Sequence, residues 1–308
     1  MVTSISVTFI ISGRLSNSLK LQEQILESAT SERLNASALL TRSRHNAIDL
    51  AEQAILDGCS HVIAVGGDGM VNEVVNGYMK VPEVLRCKVA LGVYSAGKGN
   101  DYIRSLRTSG KLKELFTLIK GSNTRIVDLG LVTCVGLDGR ESKRYFNNIA
   151  DVGLAGCIVQ DIDLSGTFIN GFFTYQRAII QTFLTYRHIK VQFESAELSW
   201  EGSILSIVMA KGKFFGSGLC IAPHANIDDG KLGLVMIGDV SLWDYIKNLG
   251  KLKKGLKLEH PEASYHTIGS CKITPIEGQC PIDMDGEFIG FAPMEVEVVP
   301  AAVRFVAP

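Results

Sequence analysis

The chain has 308 residues, 46% hydrophobic and 20% charged, and 31 basic against 32 acidic side chains give a formal net charge of −1. This composition excludes disorder and fibre, and the charge balance excludes a global basic field that would draw the molecule to nucleic acid. At about 100–200 residues per domain, the length predicts two domains.

Residues 4–11 alternate like a first strand and lack the basic start and small-residue cleavage site of a secretory leader. A polar helical stretch at 19–29 follows, then a strand at 36–40, a helix at 47–57, a strand at 61–65, a helix at 71–79, a strand at 88–93 and a helix from about 100. Alternating β and α segments predict an α/β domain with a parallel sheet over residues 1–125. Beyond Thr124 the texture becomes β-rich, at 126–135, 144–150, 190–193, 197–208, 219–222, 231–237, 270–274 and 295–299, with helical stretches at 171–186 and 242–258. Residues 126–293 therefore read as a second, mostly antiparallel domain. Seven scattered cysteines without a C-x-x-C pair predict reduced thiols and a cytoplasmic protein. No run approaches the roughly 20 apolar residues of a membrane-spanning helix.

Two glycine-rich turns carry the chemistry. In the first, strand 61–65 runs into Gly66, Gly67, Asp68, Gly69 and Met70, followed at once by a helix bearing Asn72 and Glu73. Glycines let a backbone approach a polyanion closely, and the helix start aims free N–H groups at it. Asp68 would repel bare phosphate, so it reads as a holder of Mg²⁺, its water shell or a polar network, or as a cap on the helix. The second turn, after strand 88–93, carries Gly97, Lys98, Gly99, Asn100 and Asp101. Loops leaving the carboxyl ends of neighbouring strands face a common crevice, so Asp68, Asn100 and Asp101 are expected to converge. Neither the P-loop consensus nor G-x-G-x-x-G occurs.

In these motifs the sequence resembles the diacylglycerol kinase catalytic family, which includes bacterial soluble lipid kinases and sphingosine kinases. The G-G-D-G-T and N-E-V pattern appears as Gly66–Val74, the G-T-x-N-D-x-x-R-x-L loop as Gly97–Leu106, the A-P-x-A-x-x-D-D-G-x-L segment as Ala222–Leu232, and D-G-E as Asp285-Gly286-Glu287. The segment Phe146–Leu154 is similar to the family's strand and turn after the domain boundary.

The resemblance implies a Rossmann-like nucleotide-binding domain, with a C-terminal tail at 294–308 returning to it, and a β-sandwich lipid-substrate domain. It implies ATP and Mg²⁺, with acid–base catalysis by Asp285 and Glu287, so that Asp285→Asn and Glu287→Gln should each lose most turnover with folding intact. By position it implies a structural Mg²⁺ held by Asp229 and the carbonyls of Asn226 and Lys231. Ser12, Gly13 and Thr41 match further nucleotide-side positions. This chain departs from the pattern in keeping only Ser12-Gly13 of the first loop, and in carrying Met70 and Lys98 where the family has hydroxyl-bearing threonines. An NAD kinase, which shares the G-G-D-G turn, and a catalytically silent nucleotide- or lipid-binding module are the alternatives.

The apolar stretch 168–186, with Phe172, Phe173, Tyr175, Ile179, Ile180, Phe183 and Leu184, reads either as a helix packed on a sheet or as a wall of an acyl-chain pocket. Trp243, Tyr245, Lys247, Lys251, Lys253, Lys254 and Lys257 lie on a basic amphipathic segment. Such a surface is either solvated or a transient peripheral contact with the membrane inner face. The acceptor is expected to be a lipid, diacylglycerol first, with no nucleic-acid partner; the oligomeric state is left open, a homodimer included.

Overall fold

A computed structural model of the chain describes residues 5–97, 99–165 and 172–308, the side chains of 165 and 172–175 excepted. Lys98, and the side chains of Phe172, Phe173 and Tyr175, lie outside the described residues. The chain divides into two units, Met1–Val127 with Ala301–Pro308, and Asp128–Pro300.

The first unit begins β1 (Ser6–Ile11), α1 (Ser18–Ser31), β2 (Asn35–Leu40), α2 (Asn46–Leu56), β3 (His61–Gly66) and α3 (Asp68–Lys80). It continues through α4 (Glu83–Arg86), β4 (Ala90–Ser95), α5 (Asp101–Leu106) and α6 (Leu112–Lys120). The strands pair in parallel in the order β2-β1-β3-β4, and Phe305 from the returning tail pairs in parallel with Leu91. Strands β1 and β3 are buried on both faces, hence the nearly unbroken apolar runs Val7–Ile11 and Val62–Val65. Phe9, Ile25, Ile63, Leu115, Phe116 and Val306 are among the residues of one core on this sheet.

The second unit begins with β5 (Thr124–Val135), β6 (Glu141–Phe146), β7 (Ile149–Gly153), α7 (Leu154–Ser165) and α8 (Phe172–Thr185). Next come β8 (Ile189–Glu194), β9 (Ser199–Ile204), β10 (Ser206–Ala210), β11 (Phe214–Phe215), β12 (Leu219–Cys220), β13 (Leu232–Ile237) and α9 (Leu242–Lys253). The remaining strands are β14 (Ala263–Ile268), β15 (Ser270–Pro275), β16 (Pro281–Met284) and β17 (Glu287–Val306). One antiparallel layer runs β14-β13-β10-β7-β16-β17, and the other pairs β9 with β8, β8 with β15 and β15 with β17. Alternation along the strands sorts the side chains. Ala150, Val152, Ile207, Met209, Ile282 and Met284 face Val191, Phe193 and Ile273 in the sandwich core, while Ile149, Val208 and Val235 face α7, α8 and α9 in a second core.

This is the α/β domain plus antiparallel sandwich that the sequence predicts. Several boundaries differ, the expected strand 295–299 being part of the 20-residue strand β17. The stretch 144–150 breaks at Asn147-Asn148, and 197–208 is two strands meeting at Leu205. Helices α4, α6 and α7 and strands β11, β14 and β16 were not anticipated.

Candidate active site

In the first unit both glycine turns are held against each other by backbone contact. The N–H groups of Ala96 and Gly97 donate to the Gly66 carbonyl at 3.0 and 3.1 Å. A Cβ on Gly97 would stand 2.4 Å from the Gly67 Cα, so only glycine permits this approach. Asp68 ties the second turn to the first: its two oxygens accept the N–H groups of Asp101 and Tyr102, each at 3.0 Å. It is thus a cap, on the start of α5 rather than on its own helix. Asn100 holds a left-handed conformation (φ 51°) and donates from its side chain to the Gly97 carbonyl at 2.6 Å.

Thr41 reaches the remaining short loop, where its hydroxyl accepts the Gly13 N–H at 2.9 Å. The Met70 side chain lies over Gly66, within 2.5 Å of where a Cβ would stand there. It closes the turn with an apolar surface where a threonine would offer a hydroxyl. Asn72 is buried. Glu73, expected on the nucleotide side, accepts backbone N–H groups at the start of α2 with both oxygens, from His45 and Ala47 at 3.1 Å each, and so anchors that neighbouring helix.

In the second unit the D-G-E turn sits between β16 and β17. Asp285 adopts φ 51°, which aspartate tolerates better than most residues. Its carboxylate accepts three successive backbone N–H groups, from Asn147 at 3.1 Å, Asn148 at 3.2 Å and Ile149 at 2.8 Å, at the break between β6 and β7. Its own N–H donates to the Ile149 carbonyl at 2.9 Å. Glu287 is paired with Arg144 at 2.9 Å, both groups being largely buried. Asp283 braces the turn by accepting the Gly286 N–H at 2.9 Å.

Asp283 is also the cross-strand partner of Asp151 on β7, so these two buried acids project from one face of the sheet. Burial pushes the Asp151 carboxyl up to about 8, against the lowering effect of the Ser206 hydroxyl that donates to it at 2.5 Å. Burial, with the charge of Asp151 as the next cause, pushes Asp283 well up. Asp151 was not singled out in the sequence, although a lone acid inside an apolar strand was a signal for it.

An acid whose pKa is higher folded than unfolded binds more protons in the native state, so its contribution falls as pH rises from the unfolded value near 4 through the folded one. The melting temperature is therefore expected to drop between pH 5 and 8, with Asp151 contributing at most about 1.4 kcal/mol per pH unit. Thermal melts across that range should show a flatter profile for Asp151→Asn. Parallel profiles would show that Asp151 is not the group responsible.

Asp151 and Ser206 stand at one end of an apolar pocket within the second unit, with a free volume of about 80 Å³. Ile158 of α7, Ile179 and Phe183 of α8, Val208 of β10, Ile237 of β13 and Leu252 of α9 are among its walls. The aromatic stretch of the sequence thus supplies part of a pocket wall through Ile179 and Phe183; Leu184, at 75% exposure, does not take part. One oxygen of Asp151, Oδ1, is buried without a hydrogen-bond partner. Helix α9 turns Tyr245 and Leu252 to the pocket, whereas Trp243 is 65% exposed, with Lys247 6.0 Å from its ring centre.

Two of the three residues expected to hold a structural Mg²⁺, Asp229 and Lys231, have their oxygens on a side-chain ammonium. Lys211, at the end of β10, is fully buried, and its Nζ donates to Asp229 Oδ1 at 3.1 Å, to the Lys231 carbonyl at 2.6 Å and to Asp128 Oδ2 at 2.9 Å. Asn226 is exposed. Lys211 was missed because nothing in Ala-Lys-Gly-Lys distinguishes it from the surface-like Lys213.

Comparison with known proteins bears on both units. Residues 11–132 match the diacylglycerol kinase catalytic domain, and residues 152–307 match the YegS C-terminal NAD kinase beta sandwich-like domain. The chain is 26% identical over 258 residues to a diacylglycerol kinase of Staphylococcus carnosus, covering 83% of this chain and 79% of that one. It is 25% identical over 274 residues to a diacylglycerol kinase of Bacillus subtilis, covering 88% and 86%. Among solved structures, a diacylglycerol kinase of Bacillus anthracis shares the fold with a TM-score of 0.72 at 17% identity, covering 100% and 98%. Yeast NADH kinase complexed with NADH gives 0.55 at 9% identity, covering 99% and 84%.

Proposed function

The chain belongs to the diacylglycerol kinase family of phosphotransferases with alcohol acceptors, and we propose that it transfers the γ-phosphate of ATP to the hydroxyl of an acyl-chain lipid, with diacylglycerol the leading candidate. The observation that carries the lipid acceptor is the pocket of the second unit, whose walls are mostly apolar side chains from three helices and three strands. A nucleotide acceptor would call for polar and charged walls; a hydrocarbon chain calls for these. Asp151 Oδ1 supplies a buried polar point without a hydrogen-bond partner, suited while neutral to donate a hydrogen bond to an oxygen of the ligand.

In this reading the first unit binds the nucleotide. A Cβ on Gly66 would meet Met70 and one on Gly97 would meet the Gly67 Cα, so glycine keeps the two turns close; glycine backbone suits close approach of phosphate oxygens, and Asp68 keeps the two turns in register. Mg²⁺ arriving with ATP would neutralise phosphate charge during transfer. The D-G-E turn supplies the carboxylates that accept the proton of the attacking hydroxyl and position that acceptor. The exposed Trp243 and the lysines of α9 suit contact with an anionic lipid surface, from which the acceptor would be drawn; no described helix is long and apolar enough to cross a membrane.

The test is transfer of labelled γ-phosphate from ATP, with Mg²⁺, to diacylglycerol, monoacylglycerol, sphingoid bases, ceramide and phosphatidylglycerol in mixed micelles. Glu287→Gln and an NAD acceptor run beside them. Label on one lipid, abolished in the variant, is the expected result. Label on NAD and on no lipid would replace this reading with an NAD kinase, and nucleotide binding without transfer to any acceptor would replace it with a silent binding module.

A further inference from the structure

We propose that the ammonium of Lys211 is the resident cation of the Asp228-Asp229-Gly230 turn and stands in place of a structural Mg²⁺, so that this turn is held without a divalent ion. The inference concerns the folding of the second unit and is independent of the kinase reading.

Two of the three oxygens around Lys211 Nζ, Asp229 Oδ1 and the Lys231 carbonyl, are oxygens that a structural Mg²⁺ was expected to use. The third comes from Asp128 near the start of β5. An ammonium has three N–H donors and no acceptor, and here each donor has an acceptor at 2.6–3.1 Å. The site therefore satisfies a lysine completely. A lysine with no exposed surface occurs only where its charge is paired, and Lys211 meets two carboxylates.

The same arrangement does not fit Mg²⁺, which demands near-octahedral oxygens at about 2.0–2.1 Å. An ion placed among these oxygens would collide with Nζ and add a double charge beside a buried single one. The turn is closed by the same groups. Asp128 Oδ2 also accepts the Gly230 N–H at 2.7 Å, and Asp229 Oδ1 the Lys231 N–H at 3.1 Å. Gly230 takes φ 68°, a conformation open to glycine. Lys211 thereby links three segments distant in sequence: the start of β5, the end of β10 and the approach to β13. The Asp229 side chain remains 34% exposed, so its carboxylate also meets solvent.

The test uses the full chain without nucleotide, so that a cation accompanying ATP does not enter. The melting temperature of the unaltered protein should be the same in EDTA and in millimolar MgCl₂, and calorimetric titration with MgCl₂ alone should show no saturable site. Lys211→Ala, which leaves the carboxylates facing each other, should melt several degrees lower in EDTA and recover progressively as Mg²⁺ binds the folded state. A drop in melting temperature of the unaltered protein on chelation, or a saturable Mg²⁺ site in it, would overturn the proposal. So would a Lys211→Ala protein that gains no more from Mg²⁺ than its parent. Should that variant not fold, the chelation and titration of the unaltered chain decide alone.

Discussion

Asp285→Asn is expected to lose both turnover and stability, whereas Glu287→Gln loses turnover with a much smaller change in melting temperature. The two carboxylates of the D-G-E turn look equivalent in sequence, and their surroundings make them different. Asp285 receives three backbone N–H groups, which takes three of the roughly four acceptor directions of a carboxylate. Asparagine keeps one acceptor oxygen and presents an NH₂ group to donors, leaving at least one buried N–H without a partner at about 1–3 kcal/mol. For a chain of this size that corresponds to a fall of several degrees. Glu287 faces a guanidinium at 2.9 Å, and glutamine retains one oxygen for Arg144.

If these groups hold and deprotonate the acceptor hydroxyl, each variant should lose about 10²–10⁴-fold in turnover. Thermal melts beside the phosphoryl-transfer assay separate the two contributions. Full activity in both variants would remove the assignment, and an unchanged melting temperature for Asp285→Asn would show that the three N–H groups do not depend on the carboxylate. Folding is thus expected to stay intact in Glu287→Gln and to be weakened in Asp285→Asn, which revises the expectation from the sequence that both variants fold alike.

Much of the architecture was legible because it is written in local periodicity. Strands β1 and β3 are unbroken apolar runs, and the glycine turns follow directly after strands. What escaped depends on long-range pairing. The interruption at Asn147-Asn148 looks like continuous strand until Asp285, far along the chain, accepts both N–H groups. Helix α7 was missed because Leu154–Ser165 is apolar on most sides and follows a strand without a cap residue; it is read as helix only once its backbone is seen against β16, where a Cβ on Gly156 would stand 2.1 Å from the Pro281 carbonyl oxygen. Glu73 sits in an N-E-V motif that suggests a ligand, yet its partners belong to α2. The cation site shows the same limit from the other side, since Asp229 and Lys231 were found and the lysine that meets them was not.

Asp68→Ala is expected to lower ATP affinity by at least about tenfold, through loss of the loop rather than loss of a ligand atom alone; one missing charge-assisted bond of about 1.5–3 kcal/mol accounts for a factor of that order. The carboxylate caps the first two N–H groups of α5, so its removal frees the Gly97–Asn100 turn from the Gly66–Gly69 turn. Two further variants separate these causes. Asp68→Asn keeps one acceptor oxygen and should bind ATP with intermediate affinity if the tie matters, but as poorly as alanine if only a charge is needed. Gly97→Ala leaves Asp68 intact and places a Cβ 2.4 Å from the Gly67 Cα, forcing the same two turns apart from the opposite side. Titration with a fluorescent ATP analogue, beside melts without nucleotide, reads all three. A comparable loss for Asp68→Ala and Gly97→Ala, each with a lower melting temperature before any nucleotide is added, would establish that the register of the two turns is what binds the phosphates. Weak binding in Asp68→Ala with normal binding in Gly97→Ala would make Asp68 a direct participant in the nucleotide–Mg²⁺ network and remove the cap from the explanation.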